Sequence, residues 1–250
     1  MEPASARPVV VFRYWGRFGH FLRAEASASA LSYPVPPRTV LLGLTGAVLG
    51  LEKDAPQEVL KDALFAVSGA QPPTHWHRAK FRKDPPAALA MRIKAGAKGS
   101  EAPEKATLIK QEWLLNPDYH ITANLPEPYH AQLVKRLEER HWHYSPCLGL
   151  SEMNAELELV STGTATPIDG EQPLACHSLI RQDKVTVEGQ RFLEDRLEIQ
   201  VLRMPRAVTA DRVFIHANYL IERCGRPIPV RTADAWHVLL PEEDHHVMFL

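Results

Sequence analysis

The sequence predicts an α+β fold: a ferredoxin-like βαββαβ module with a long β-hairpin insertion, followed by a C-terminal β-rich lobe. Three observations carry this reading. The first 160 residues run in the pattern strand, helix, strands, helix, strand. A Gly/Lys/Ser segment, Ala95-Gly96-Ala97-Lys98-Gly99-Ser100, sits between two strand-like stretches and has no apolar residue larger than alanine. After residue 155 the patterns are almost all strand, with turns at Gly163, Gly170, Gly189 and Gly225. The 250 residues are 45% hydrophobic and 24% charged, ordinary globular values that exclude a disordered or fibrous chain.

Taken in order, Val9 to Tyr14 is β-branched and aromatic and reads as a buried first strand. Trp15 to Ser32 has neither helical nor strand period and reads as a long ordered loop. Pro34-Val35-Pro36-Pro37 imposes extended backbone, and Arg38-Thr39 opens a helix that runs to Leu51, with Gly43, Gly46 and Gly50 near one face. Pro56 to Leu64 predicts a short second helix ending near Gly69. Ala87 to Lys94 and Thr107 to Leu115 predict the two arms of the insertion. Tyr119 to Leu125 is a strand, and Pro126-Glu127-Pro128 starts a helix to Arg140 with Leu133, Val134 and Leu137 inward. Ala155 to Val160, Lys184 to Val187, Leu193 to Met204, Arg212 to Ile221 and Val247 to Leu250 supply the lobe. The division expected is 1–145 for the module, with its hairpin at about 75–115, and 146–250 for the lobe.

Three scattered cysteines, Cys147, Cys176 and Cys224, give no disulfide framework and no four-thiolate zinc set. The apolar run Val40 to Leu51 is too short for a bilayer span, which needs ~20 residues, and residues 1 to 11 lack the features of a signal peptide. A cytoplasmic protein without membrane contact is expected. His75-Trp76-His77, His141-Trp142-His143 and His245-His246 do not assemble a four-ligand metal set, and neither a metal nor a cofactor is expected. Nucleophile-elbow, Walker, Rossmann and EF-hand patterns are all missing.

The formal net charge is −1, but it is unevenly spread. Residues 1–50 sum to +3. Residues 75–110 sum to +6, through Arg78, Lys80, Arg82, Lys83, Arg92, Lys94, Lys98, Lys105 and Lys110 against Asp84, Glu101 and Glu104, which leaves −10 for the remainder. Such a division suits a chain that meets a polyanion on one face and a protein on another, or simply an unevenly charged solvated surface. Phe12-Arg13-Tyr14-Trp15-Gly16-Arg17-Phe18-Gly19-His20-Phe21 packs five aromatics, two arginines and a histidine into ten residues. Rings that stack on unpaired bases, beside arginines for phosphate, are the chemistry of single-stranded RNA binding. The same rings would equally serve as strand and core plugs. Arg13, Trp15, Phe18 and His20 are the candidates here, and Lys80, Arg82, Lys83, Arg92 and Lys94 are candidates for the RNA backbone. His20, Tyr33, Lys80 and the paired histidines could also supply a base and an acid for metal-free RNA cleavage.

Gly19-His20-Phe21-Leu22-Arg23, followed by Ser32-Tyr33-Pro34-Val35-Pro36-Pro37-Arg38-Thr39-Val40-Leu41-Leu42-Gly43-Leu44-Thr45-Gly46-Ala47-Val48-Leu49-Gly50, strongly resembles the N-terminal motif of the CRISPR-associated Cas Five family. Tyr144-Ser145-Pro146-Cys147-Leu148-Gly149-Leu150-Ser151-Glu152 resembles its second block. The resemblance implies a subunit of the type I Cascade surveillance complex, in the RAMP superfamily, with an RRM-like RNA-binding domain, the hairpin as a thumb and a variable C-terminal lobe. It further implies one RNA ligand, the 5′ handle of crRNA, and two protein partners, the backbone subunit and the large subunit, with target DNA met only through the complex. By position it adds Arg23, Tyr33, Arg38, Thr39 and Gly43 from the first block, and Leu148, Gly149 and Ser151 from the second. The Pro-Pro-Arg-Thr and Leu-Gly-Leu-Thr-Gly-Ala runs look most like the non-catalytic type I-B members, so no catalytic residue is assigned. The alternative is the type I-C branch, which cuts precursor crRNA without metal.

Overall fold

A computed structural model describes residues 6–26, 29–82, 106–168, 170, 172–187, 195–209, 211–240 and 245–250. The fold is mixed α+β and dominated by strands. The chain opens with β1 (Arg7–Trp15), whose Val10, Phe12 and Tyr14 enter the main core while Val9 enters a smaller cluster with Ala66, Ala165, Val238 and Val247. Burial on both faces is why this strand reads as a continuous apolar run rather than an alternating one. Four two-residue strands follow in the aperiodic segment: β2 (Phe18–Gly19), β3 (Phe21–Leu22), β4 (Ser29–Ala30) and β5 (Ser32–Tyr33).

Helix α1 (Arg38–Leu49) begins after Pro37 and ends at Gly50, whose φ of 81° gives the left-handed cap that a residue with a Cβ resists. It buries Leu41, Leu42, Leu44 and Val48. Helix α2 (Pro56–Val59) is shorter than expected. The chain then turns at Leu60 and enters β6 (Leu64–Ser68), so Leu64-Phe65-Ala66-Val67 is a buried strand and not helix. Next come β7 (Thr74–Arg82), β8 (Ala106–Leu115), β9 (Asp118–Asn124), α3 (Tyr129–Glu139) and β10 (Glu156–Pro167). Strand β8 pairs with β7 from Thr74↔Leu114 to Arg82↔Ala106. The hairpin therefore starts well before Ala87 to Lys94, which lie outside the described residues together with the 95–100 tip.

In the lobe, β11 (Leu174–Cys176), β12 (Ile180–Arg181), β13 (Thr186–Val187), β14 (Ile199–Val208), β15 (Phe214–Glu222), β16 (Ile228–Arg231), β17 (Ala235–Leu239) and β18 (His245–Met248) are mostly short. Lys184 belongs to a 3-10 turn, Gln182–Lys184, instead of the strand expected there.

One nine-stranded sheet, ordered β13-β16-β11-β18-β17-β10-β1-β9-β6, runs through both halves of the chain. Its last four strands, β10-β1-β9-β6, pair antiparallel throughout. Helix α1 lies between β1 and β6 in the chain, and α3 between β9 and β10. Strand β10 follows residue 145, and Leu202, Met204, Tyr219 and Ile221 share the core of Phe12, Tyr14 and Leu41. A separate sheet, β12-β15-β14, supplies those four residues and packs β14 onto α1. Among the described residues no helix is long and apolar enough to cross a membrane.

Candidate nucleic-acid interface

The two motif blocks, far apart in sequence, meet in space. Leu148, fully buried, accepts a backbone hydrogen bond from the His20 N–H at 2.9 Å and closes its own loop on Met153. Gly149 has φ +95°, and a Cβ there would lie 1.9 Å from the His20 carbonyl oxygen. At Gly16 a Cβ would come within 2.6 Å of Leu148, and at Gly19 within 3.2 Å of Pro117. These glycines let two backbones touch, so this part of the motif is a clasp. The buried Leu148 side chain packs inside this clasp, whereas Gly149 stays exposed on it. Ser151, on the rim of the loop, stays exposed beside Glu152.

The aromatic window divides. Phe12, Tyr14 and Phe21 are core, with tilted ring contacts among Tyr14, Phe21 and Tyr119. His20, expected to stack on bases, is only 2% exposed, and its Nδ1 lies 2.8 Å from the Glu112 carbonyl oxygen. A ring enclosed in this way presents no face to a base, which corrects that assignment. Arg13 forks onto Asp118 with contacts of 2.9 and 2.7 Å and lies over the Trp15 ring at 4.9 Å. The guanidinium holds the Asp118 carboxyl below its ordinary range, so Arg13 is committed to a carboxylate and Trp15 is covered by Arg13. Phe18, half-buried, packs on Trp113 with ring centroids 5.3 Å apart, under Arg17.

The polar residues of the first block are likewise engaged. Tyr33 is 2% exposed, and its hydroxyl donates to Glu25 at 3.1 Å; burial pushes the phenol up. Arg23 lies over the Tyr33 ring and donates to the Ser32 carbonyl at 3.0 Å. Arg38 donates to the carbonyls of Lys61, Ala63 and Arg206, tying α1 to the end of α2 and to β14. The Thr39 carbonyl accepts from Gln57 at 3.0 Å. The three helix glycines separate as well. Gly46 is pressed on Pro56 and Gly50 on His143, whereas Gly43 is exposed with nothing within 4 Å of an added Cβ. Of the three glycines near that face, only Gly43 is open.

The hairpin presents a different surface. Because side chains alternate along a strand, Trp76, Arg78 and Lys80 share one face of β7. The register sets Glu112, Lys110 and Leu108 of β8 directly opposite them. Trp76 is 49% exposed, Arg78, Lys80 and Lys110 are exposed, and Ser29, Trp76, Arg78 and Lys110 line an open cleft of about 460 Å³. The acid of this face, Glu112, is occupied by the Ser32 N–H at 3.0 Å. On the reverse face His77 stacks on Trp113, with centroids 4.1 Å apart, and anchors the hairpin base. An exposed indole flanked by three cations can stack on a base and neutralise the neighbouring phosphates. Lys80 was expected here, whereas Trp76, Arg78 and Lys110 were missing from the expected set. The signal for Trp76 and Arg78 was the alternation Trp76-x-Arg78-x-Lys80-x-Arg82, and Lys110 is brought in by the pairing of β8 with β7. Arg82 continues β7, and Lys83, Arg92 and Lys94 lie outside the described residues.

Residues 9–216 match the family described as CRISPR-associated protein (Cas_Cas5). No curated protein sequence matches the chain. Among solved structures, the fold is similar to a chain titled CRISPR RNA-guided surveillance complex, with 15% identity and a TM-score of 0.53 over 88% of this chain and 91% of that one. A CRISPR protein from Archaeoglobus fulgidus gives 16% identity and a TM-score of 0.49, covering 98% of this chain and 99% of the other.

Proposed function

The chain belongs to the Cas Five family of CRISPR-associated proteins, and from that premise we propose that it is a non-catalytic subunit of a type I Cascade surveillance complex. In this reading it binds and caps the 5′ handle of crRNA and bridges the backbone and large subunits in antiviral defence, in the cytoplasm, with target DNA met only through the complex. The observation that carries it is the exposed Trp76, Arg78, Lys80 and Lys110 face of the hairpin, which has the aromatic and cationic make-up of a single-strand RNA surface. The strand order β10-β1-β9-β6, with α1 and α3 as its connections, supports a ferredoxin-like reading of the module. The first-block run through Pro37-Arg38-Thr39 and Leu42-Gly43-Leu44-Thr45-Gly46-Ala47 favours type I-B. Burial of His20 and Tyr33, two of the groups considered for cleavage, favours a binding role over cutting.

The test is incubation of labelled precursor repeat RNA with the protein in EDTA, with filter retention and a denaturing gel run on the same samples. Retention without cleavage is expected. Reversal of two charges, Arg78→Glu with Lys110→Glu, is expected to reduce the slope of log affinity against log salt by ~1.4, at ~0.7 per single-strand phosphate. A single cut at the base of the repeat hairpin would overturn the non-catalytic role, and an unchanged slope would remove the hairpin from RNA binding.

A further inference from the structure

A second cleft, of about 610 Å³, opens on the sheet β12-β15-β14 and is lined by residues outside both motif blocks and the hairpin. Its lining includes Arg181, Arg203, Arg206, His216 and Asn218. The register of β14 and β15 sets Arg203 opposite Asn218, and alternation puts His216 and Phe214 on that same face. The Phe214 and His216 rings lie 6.3 Å apart, and Phe214 is 45% exposed. A β-bulge between Pro205 and Ala207 makes Arg206 the extra residue of its strand. Bulges re-aim a side chain, and this one is pinned from behind: Arg38 donates to the Arg206 carbonyl at 3.3 Å while the Arg206 side chain stays exposed.

The charges are not balanced. Arg181 is paired with Asp183, the cleft's acid, but among the described residues no carboxylate pairs with Arg203 or Arg206. Arg203 and Arg206 are thus two exposed arginines whose charge no neighbouring carboxylate offsets among the described residues. Behind them the buried Tyr219 hydroxyl has no hydrogen-bond partner among the described residues and lies within electrostatic reach of Arg206, Arg181 and Arg38.

We propose that this cleft is a second nucleic-acid site that holds the phosphodiester backbone of a single strand through Arg203 and Arg206, with Phe214 and His216 as the stacking surface. Guanidinium forks match phosphate oxygens, and the exposed Phe214 ring beside the half-buried His216 ring offers what an unpaired base stacks on. An acidic peptide would use the arginines but leave the ring pair without a partner. The site is independent of the hairpin: its residues lie on different strands and belong to neither motif block.

The test uses the full chain with fluorescein-labelled mixed-sequence 30-mers of RNA and single-stranded DNA, titrated between about 50 and 200 mM KCl. Arg203→Glu with Arg206→Glu is expected to lower the slope of log affinity against log salt by ~1.4 and to weaken binding at least ~10-fold. The neutral pair Arg203→Gln with Arg206→Gln, checked for an unchanged melting temperature, is expected to lose the same slope without adding repulsion. Equal losses on RNA and DNA make the backbone the determinant, and a larger loss on RNA brings in the 2′-hydroxyl; both support the site. Unchanged slopes in both variants overturn it. So does tighter binding of duplex DNA than of either single strand, or displacement of the RNA from wild type, but not from the glutamine variant, by poly-glutamate of equal charge. The hairpin variant Arg78→Glu with Lys110→Glu is measured beside them, so that loss at one surface and not at the other identifies which reading has failed.

Discussion

Two glycines in the motif blocks have opposite surroundings. Gly149 combines a positive φ with a Cβ position 1.9 Å from a carbonyl oxygen, so Gly149→Ala is expected to cost roughly 3 kcal/mol of stability through strain and displacement of the His20 segment. Urea denaturation measures this directly. Gly43 lies inside α1 with empty space around it, and Gly43→Ala is expected to stabilise by about 0.5–1 kcal/mol. If the same variant weakens handle binding, the RNA or a partner approaches the helix backbone there; unchanged binding leaves Gly43 out of the interface. Residue types alone could not separate these cases, because both are a glycine beside leucine in a motif run. The same limit applied to the aromatic window. Its composition was legible, but whether a ring faces solvent depends on the strands that cover it, and β9, β10 and the Leu148 loop cover Tyr14 and Phe21.

At the level of elements, the hairpin and the end of β15 show what patterns reveal and miss. Trp76 projects from β7 and supports no core, so Trp76→Ala is expected to lose stacking worth about 1–3 kcal/mol of RNA affinity while leaving the melting temperature in place. A drop in melting temperature with unchanged RNA affinity would make the indole structural. The end of β15 is held by Glu222, 2% exposed, which accepts from the backbone N–H groups of Glu198, Cys224 and Arg226 and from the Arg226 guanidinium. Burial pushes its carboxyl up, but these hydrogen bonds outweigh burial and hold it below the ordinary value. With the folded value below an unfolded one of about 4.3, this stabilisation is complete above that pH. It is lost as pH falls through the folded value. Glu222→Gln is expected to cost about 1.5–3 kcal/mol at neutral pH and to flatten the acid side of a stability profile. The long elements were readable: β1 from its valines, α1 from its proline start and glycine stop, α3 from its leucine spacing. Strand β6 was not, because Leu64-Phe65-Ala66-Val67 is a short apolar run that continues a helical one, and length is what distinguishes the two. The two-residue strand β12 carries no period at all and exists only through its partner, whereas β13 falls within the Lys184 to Val187 stretch that reads as strand.

For the whole molecule, the shared sheet matters more than the change in composition between its halves. Because β10 completes the strand set around β1, and Leu202, Met204, Tyr219 and Ile221 fill the core under α1, a fragment of residues 1–145 is expected to show no cooperative unfolding transition. The full chain is expected to unfold in one step, with tryptophan fluorescence and far-ultraviolet circular dichroism coinciding. Two separated transitions would support a division into two domains. The pairing of Arg7 with Ala165 also bears on how the protein is made. Strand β1 leaves the ribosome well before β10, the sheet neighbour that follows only after the hairpin and α3 have been synthesised. At roughly 5–20 residues per second, a nascent chain waits on the order of ten seconds with that hydrophobic edge uncovered. This interval is when chaperone capture and misassembly compete with folding.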